Sequence, residues 1–184
     1  MTQSTHKAPP FEVRIETEVA ATPEEVYAVV SDMPRTGEWS EECQGGAWVI
    51  GSPATVGAVF EGRNYRPESV VAWAPVVRGE WFTRAEVVAA EPDRAFRWAM
   101  CDSAGKAQES VWSFEIEPAD GGSRLVHHFR MDSVTEGIRG ITSGMGDAER
   151  RRFFSEWQEK LFGDMSATVA RLKNVIEKDA VRNN

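Results

Sequence analysis

Three polar side chains could take part in chemistry: His127, Asn64 and Tyr65. An imidazole accepts or donates a proton near neutral pH, and the adjacent His128 must point to the opposite face of the same strand. The amide of Asn64 can hydrogen-bond a ligand carbonyl, and the phenol of Tyr65 can act as an acid or close the mouth of a cavity. No acidic partner lies near His127 in the sequence, so we favour a neutral histidine that is hydrogen-bonded within the core. A catalytic role is therefore a hypothesis for all three.

Aromatic side chains form the second group of interest, because seven tryptophans occur in 184 residues. Rings in such numbers either fill a core or line a cavity that accepts a small molecule. Several of these indoles fall on one face of the predicted sheet, where they are difficult to close-pack against a single helix. The residues predicted to bind a ligand are Trp39, Phe60, Asn64, Trp81, Thr83, Phe96, Trp98, Met100, Trp112, Phe114, His127, Phe129, Phe154, Trp157 and Leu161. Core packing remains the alternative for each ring taken singly.

Charge and motif content exclude several functional classes. Lys and Arg total 21 against 29 Asp and Glu, and the formal charge of −8 argues against a nucleic acid or an anionic membrane as partner. The sequence has no phosphate-binding loop, dinucleotide fingerprint, serine elbow or zinc motif, so we expect no metal and no cofactor. Cys43 and Cys101 are far apart, and the polar N-terminal stretch lacks the apolar core of a signal peptide. These features favour a reducing cytoplasm.

Alternation of apolar and polar residues predicts the strands that would position these side chains. The first runs from Phe11 to Ala20, with apolar residues at odd positions and mostly charged residues at even ones. Short connections rich in Gly, Pro, Asp and Ser separate the later strands, which indicates antiparallel pairing. These later strands are predicted over residues 47–50, 56–65, 80–89, 95–100, 109–117 and 124–132.

Three helices are predicted, two short ones after the first strand and one long one at the C-terminal end. A capping box at Thr22 begins a helix that ends near Asp32, and a second short helix is expected over 33–40. Four glycines over 136–146 predict a mobile loop, and from Ala148 onward apolar residues recur every three or four positions, as in a long amphipathic helix. The resulting divisions are a flexible segment 1–10, a single domain over 11–178 and a flexible tail 179–184.

Five stretches carry a resemblance to a known family: residues 22–27 (TPEEVY), 37–43 (GEWSEEC), 57–64 (GAVFEGRN), 87–92 (VVAAEP) and 121–125 (GGSRL). In order and spacing they resemble the START-like helix-grip superfamily, also called SRPBCC, which contains polyketide cyclase/dehydrase-like and lipid-transport-like proteins. The resemblance extends from about Phe11 to about Leu172. It implies an α+β helix-grip fold (START/Bet v 1-like), with an antiparallel sheet of about seven strands wrapped on a long C-terminal helix and two short helices after the first strand.

The resemblance also implies a function. We expect a cavity between the sheet and the C-terminal helix that binds a hydrophobic, aromatic or polyketide-like small molecule, in a monomer or homodimer. Two alternatives stay open. One is a cofactor-independent polyketide cyclase/dehydratase of antibiotic biosynthesis, in which the cavity positions a reactive chain. The other is self-resistance by sequestering a toxic natural product such as an enediyne.

One segment departs from the family pattern. Residues 65–79 are longer and more apolar than the turn that usually follows the Gly-x-Asn strand, and they hold Trp73 and four valines. An exposed apolar loop is a liability unless something covers it. We therefore expect either a lid at the cavity mouth or a dimer contact.

Overall fold

Seven strands form one antiparallel sheet in the computed structural model, which describes residues 9–183. The order across the sheet is β1-β7-β6-β5-β4-β3-β2, so β1 and β2 form its two edges. The predicted segment 1–10 lies outside the described residues except for its last two positions. The strands are β1 (Phe11–Val19), β2 (Cys43–Ile50), β3 (Val59–Arg66), β4 (Gly79–Glu91), β5 (Ala95–Cys101), β6 (Ala107–Ala119) and β7 (Gly122–Met131).

The helices cover the inner face of this sheet and complete the predicted α+β helix-grip fold. The first begins at the expected capping box, where the Glu25 backbone N–H donates to Thr22 Oγ1 at 3.3 Å and the Thr22 N–H donates to Glu25 Oε2 at 2.8 Å. Within residues 9–183, no helix combines the length and apolar character needed to cross a bilayer. The helices are α1 (Pro23–Val30), a 3₁₀ helix (Met33–Glu38), α2 (Glu136–Thr142) and α3 (Asp147–Asn183).

Two helical boundaries differ from the sequence prediction. The stretch expected to be a loop over 136–146 contains α2, because Thr135 caps it and Ile138 is buried against the core, which together offset its two glycines. Helix α3 continues through the predicted tail as far as Asn183, and Ala180 packs in the core at 5% exposure.

Buried apolar side chains gather into two clusters, one against each half of α3. The first joins α1 and the sheet to Leu172 and Ile176 in the C-terminal half of α3. The second joins β1 and β7 to Phe153 and Met165 in its N-terminal half. The backbone of α3 approaches that of β1 most closely, and the central strands β4, β5 and β6 lie farther from it. The middle of the inner sheet face therefore lies farther from α3 than the β1 edge of the sheet does.

Candidate functional site

Side chains of four strands meet on the inner face of the sheet at this widest point. Their alternation places every second residue inward, and the register aligns Trp98 with Trp112 across β5 and β6. His127 stacks within this group, with ring centroids 4.3 Å from Phe114 and 5.6 Å from Trp112. Of the predicted site residues, the structure brings together on these strands Trp81, Thr83, Phe96, Trp98, Met100, Trp112, Phe114, His127 and Phe129.

Exposure separates these residues into two kinds. Trp39, Phe60, Phe96, Phe114 and Phe129 are at most 3% exposed and belong to the two buried clusters, so core packing explains them. Five other inward-facing side chains stay partly exposed: Trp98 and Met100 at the margin of the first cluster, Trp112 at the margin of the second, and Trp81 and Thr83 outside both. Solvent therefore reaches the inner sheet face in the gap between the two clusters.

Helix α3 supplies the opposite wall of this gap. Trp157 and Leu161 face the sheet at 8% and 7% exposure, and both belong to the second cluster. Phe154 is half-buried and stacks on Phe11 of β1 with a centroid distance of 5.1 Å. Phe154 therefore packs against the edge of the sheet, whereas Trp157 and Leu161 lie closer to its centre.

Two open pockets lie away from this interface. The larger, of about 760 Å³, is a polar groove on the surface beside the start of α1, lined among others by Glu91, Arg94, Arg97 and Glu117. A smaller one lies between α1 and the end of α3, near Asp179. Neither contains a residue predicted to bind a ligand, so both lie outside the predicted binding region between sheet and helix.

His127 is buried and neutral. It is 4% exposed, and its Nδ1 lies 3.1 Å from the Ser113 carbonyl oxygen, which can only accept a hydrogen bond. Nδ1 therefore carries the proton, and Nε2 is an acceptor without a hydrogen-bond partner among residues 9–183. Burial lowers the pKa of His127 to about 4, although the bond to Ser113 opposes this shift; the nearby His128 lowers the pKa further.

Asn64 presents an oxygen, not a nitrogen, to a ligand. Its Nδ2 donates to the Gly62 carbonyl at 3.1 Å and to Thr83 Oγ1 at 3.0 Å, and it lies 3.5 Å from the Trp81 carbonyl. Two of these acceptors are carbonyls, which fixes the orientation of the amide. Oδ1 has no donor within the described part of the chain. The hydrogen bond expected from Asn64 to a ligand carbonyl stays a prediction, but in this structure both N–H groups of the amide are already engaged with Gly62 and Thr83.

Tyr65 lies on the other side of the sheet. It is 49% exposed, and its neighbours Asn64 and Arg66 are buried on the inner face. Successive residues of a strand point to opposite faces, so Asn64 and Tyr65 cannot both line one cavity. The structure thus separates Tyr65 from the other candidate residues.

Arg66 belongs to the site but was missed, because the predicted strand ended one residue earlier. It is 5% exposed and shares the inward face with Phe60 and Asn64. Its guanidinium binds Glu42 through two hydrogen bonds of 2.8 Å and lies between two indoles, 4.7 Å from the ring centre of Trp81 and 5.1 Å from that of Trp157. Continuing the alternation from Asn64 by two positions would have found it.

The Arg66–Glu42 pair also ties the sheet to α3. Lys160 Nζ lies 2.7 Å from Glu42 Oε1 and also binds Asp164. Burial pushes the pKa of Glu42 upward, but the two cations beside it hold that pKa below its usual range. The ion cluster of Glu42, Arg66 and Lys160 therefore closes the gap on the side of β2 and β3.

The apolar segment after β3 folds over the N-terminal half of α3. The Arg78 guanidinium donates to the carbonyls of Val71 and Ala74, both at 2.9 Å, and so holds the segment in a compact shape. Trp73 Nε1 donates to Glu156 of α3 at 2.7 Å, and Ala74 is buried in the second cluster. The segment therefore covers part of the N-terminal half of α3, and the two roles expected for residues 65–79, a lid or a dimer contact, stay predictions.

No group of three or more His, Cys, Asp or Glu side chains within residues 9–183 is arranged to hold a metal ion.

Residues 10–177 match a family described as polyketide cyclase / dehydrase and lipid transport. The chain belongs to this family. The match covers the whole sheet and most of α3, so the family assignment and the helix-grip fold rest on the same residues.

Solved structures of several bacterial proteins share the fold of this polyketide cyclase/dehydrase family member. One is the Polyketide_cyc-like protein Cgl2372 from Corynebacterium glutamicum, which is 28% identical with a TM-score of 0.61, over 91% of this chain and 92% of that one. Another is the protein of unknown function SA2116 from Staphylococcus aureus, which is 13% identical with a TM-score of 0.64, over 91% and 94% of the two chains. A search of curated proteins found no match.

One structural neighbour comes from a biosynthetic pathway. StfQ is a di-domain aromatase/cyclase (ARO/CYC) from the steffimycin biosynthetic pathway. It is 12% identical with a TM-score of 0.63, over 92% of this chain but only 51% of StfQ. At that identity the likeness shows a shared fold alone.

Proposed function

We propose that this protein binds a hydrophobic, aromatic small molecule between the inner sheet face and α3. The observation that carries the proposal is the partial exposure of inward-facing rings between two fully buried clusters. Trp98 and Trp112 would gain contacts from a flat guest that fills the gap, because an apolar ring buries large area against indole faces. Membership of a family described by polyketide and lipid ligands supports the same class of guest.

A polyketide cyclase/dehydratase activity is the second candidate, favoured by the unpartnered Nε2 of His127 in the same wall. A base works best when its pKa lies near the working pH, and a pKa of about 4 makes this imidazole a weak proton acceptor at neutrality. Catalysis would then depend mainly on how the aromatic walls fold a reactive chain.

Sequestration of a toxic product would need binding only. Stoichiometric binding is therefore the primary proposal.

Anthraquinone and palmitate are suitable probes, one flat and aromatic, the other a flexible chain. Titration of the folded protein with anthraquinone should quench tryptophan fluorescence, saturate at one molecule per chain and raise Tm. Palmitate should bind more weakly, because a flexible chain loses more conformational entropy than a rigid ring on binding. If anthraquinone neither quenches the fluorescence nor raises Tm, the proposal is wrong.

Two matched variants separate the gap from the rest of the surface. Trp112→Ala removes a ring from the inner face and should weaken anthraquinone binding about tenfold or more. Phe82→Ala removes a ring that is 60% exposed on the outer face, and it should leave the affinity unchanged. Equal losses in the two variants would indicate non-specific adsorption to the surface.

A further inference from the structure

Where β3 meets β4, three side chains of the inner face have unused hydrogen-bonding capacity among the described residues. Trp81 Nε1 is buried without a hydrogen-bond partner within the part of the chain that the structure describes. Asn64 pairs with Trp81 across the two strands, is 6% exposed, and keeps its Oδ1 unpartnered in the same residues. Thr83 is the next inward-facing residue of β4; its Oγ1 accepts from Asn64 Nδ2 and its proton has no acceptor in residues 9–183. We name Asn64, Trp81 and Thr83 the polar strip.

An unpartnered buried polar group is costly, so its persistence in a folded protein needs a cause. Leaving a buried donor or acceptor without a partner costs roughly 1–3 kcal/mol, and native proteins contain few such groups. The polar strip holds one such group among the described residues, the Nε1 of Trp81, beside two oxygens that could each take a further hydrogen bond, Asn64 Oδ1 and Thr83 Oγ1. The strip borders the Arg66–Glu42 ion pair, whose guanidinium lies 4.7 Å from the ring centre of Trp81, but that guanidinium is already bound to Glu42 and leaves Trp81 Nε1 without a partner in the described residues.

The donors and acceptors of the polar strip determine which ligand group could satisfy its hydrogen bonds. Trp81 offers an N–H donor, Thr83 offers an O–H donor, and Asn64 offers only an acceptor. A ketone oxygen would satisfy the donors but would face the oxygen of Asn64 with its own lone pairs. A hydroxyl satisfies both, because it donates its proton to Asn64 Oδ1 and accepts from Trp81 Nε1 or Thr83. An ether or an alkyl chain cannot donate.

We infer that the polar strip recognises a free phenolic hydroxyl on the aromatic guest, with Trp81 as the donor that fixes its oxygen. The inference rests on the proposed function, because it assigns the polar end of the same gap. The aromatic rings of the guest lie against Trp98 and Trp112, and its hydroxyl points toward β3 and β4. Specificity for a hydroxylated ring follows from this arrangement, since loss of the hydroxyl leaves buried groups unpaired.

Three related ligands test the inference: 2-hydroxyanthraquinone, 2-methoxyanthraquinone and unsubstituted anthraquinone. The hydroxyl at position 2 is too far from the ring carbonyls to bond to them internally, so it is free to donate. We expect the hydroxylated ligand to bind about tenfold more tightly than the methyl ether or the parent quinone, as measured by calorimetry. Water molecules that merely fill the strip would give no such discrimination.

Trp81→Phe and Trp98→Phe form a matched pair of variants. Both remove an indole from the inner face, but only the first removes a buried donor that lacks a partner among the described residues. The hydroxyl oxygen can accept from this donor and the parent quinone has no oxygen at that position, so Trp81→Phe should reduce the hydroxyl-to-parent affinity ratio to about threefold or less. Trp98→Phe should weaken all three ligands and keep that ratio. Far-UV circular dichroism and Tm confirm that both variants are folded.

Each outcome has a distinct meaning. A ratio that falls only in Trp81→Phe supports the inference. Equal binding of the three ligands, or a ratio that survives in Trp81→Phe, overturns the inference and leaves the proposed function standing. Failure of all three ligands to bind overturns both.

Discussion

Burial of His127 converts a potential proton-transfer group into a hydrogen-bond acceptor. The aromatic rings around it exclude water, so the folded chain keeps it neutral with a pKa of about 4 against 6.5 for an ordinary histidine. In the unfolded chain the same imidazole takes up a proton as the pH falls below about 6.5. His127 therefore links the stability of the fold to pH.

The sign of this linkage gives a prediction. Between pH 6.5 and 4 the unfolded state binds more protons than the folded state, so the free energy of unfolding should fall as the pH is lowered, by up to about 3 kcal/mol. Carboxylates also titrate in this range, so the comparison is with His127→Gln, whose stability should depend less on pH. Urea unfolding at a series of pH values measures both slopes. Parallel slopes for the two proteins would contradict this account of His127.

The ion pair of Glu42 with Arg66 is largely shielded from water, with side-chain exposures of 21% and 6%, so its loss should cost more stability than loss of a pair on the outer face. Glu42→Gln would leave the charges of Arg66 and Lys160 without their common partner. We expect a loss of about 3 kcal/mol in the free energy of unfolding, measured by urea denaturation.

A matched control exists on the outer surface. Glu61 binds Arg84 at 3.0 Å, and both side chains are more than one third exposed. Glu61→Gln should cost less than about 1 kcal/mol. If the two glutamate variants lose the same amount, Glu42 has no special structural role.

Strand β3 shows which properties of single residues a sequence pattern can predict: it gives the face of the sheet that Asn64, Tyr65 and Arg66 occupy, but not their hydrogen bonds. Alternation within β3 placed Asn64 correctly on the inner face, and applied strictly it excludes Tyr65 and includes Arg66. The direction of the Asn64 amide was not predictable, because it depends on the Thr83 hydroxyl and on a carbonyl of β4 that only pairing brings near. The missing partner of Trp81 Nε1 is likewise a property of three-dimensional packing.

At the level of elements, the prediction succeeded where one periodicity ran without interruption. Strand β1 alternates strictly, and α3 keeps an apolar stripe over its whole length, so both were predicted with the right type. Helix α2 was predicted as a loop because two glycines weaken its local helix propensity, whereas burial of Ile138 and capping by Thr135 decide its conformation. Contacts distant in sequence therefore account for this difference.

The cover formed by residues 67–78 depends on one side chain. Arg78 holds carbonyls of the segment together, and Arg78→Ala would leave these acceptors without their shared donor. We expect amide hydrogen exchange across the segment to increase about tenfold or more, with the strands unchanged. Arg84→Ala, which removes an exposed arginine of β4, should leave the exchange of the segment as it is. Unchanged exchange in Arg78→Ala would show that contacts with α3 alone hold the cover.

For the molecule as a whole, the two buried clusters and the gap between them have separate roles. The clusters hold α3 against the sheet at both of its halves, and the ion cluster of Glu42, Arg66 and Lys160 fastens its middle on the side of β3. The fold can therefore keep a partly exposed aromatic wall without losing the packing that stabilises it.

The indole N–H signals of the tryptophans test this division directly, because each indole gives one peak in a ¹H–¹⁵N spectrum that single Trp→Phe variants can assign. On addition of anthraquinone, the account predicts large shifts for Trp98 and Trp112 in the gap. Trp73, whose indole is bound to Glu156 over the outer side of α3, should stay in place. A spectrum in which Trp98 and Trp112 do not move at saturating ligand would contradict the claim that the space between sheet and helix is the binding site.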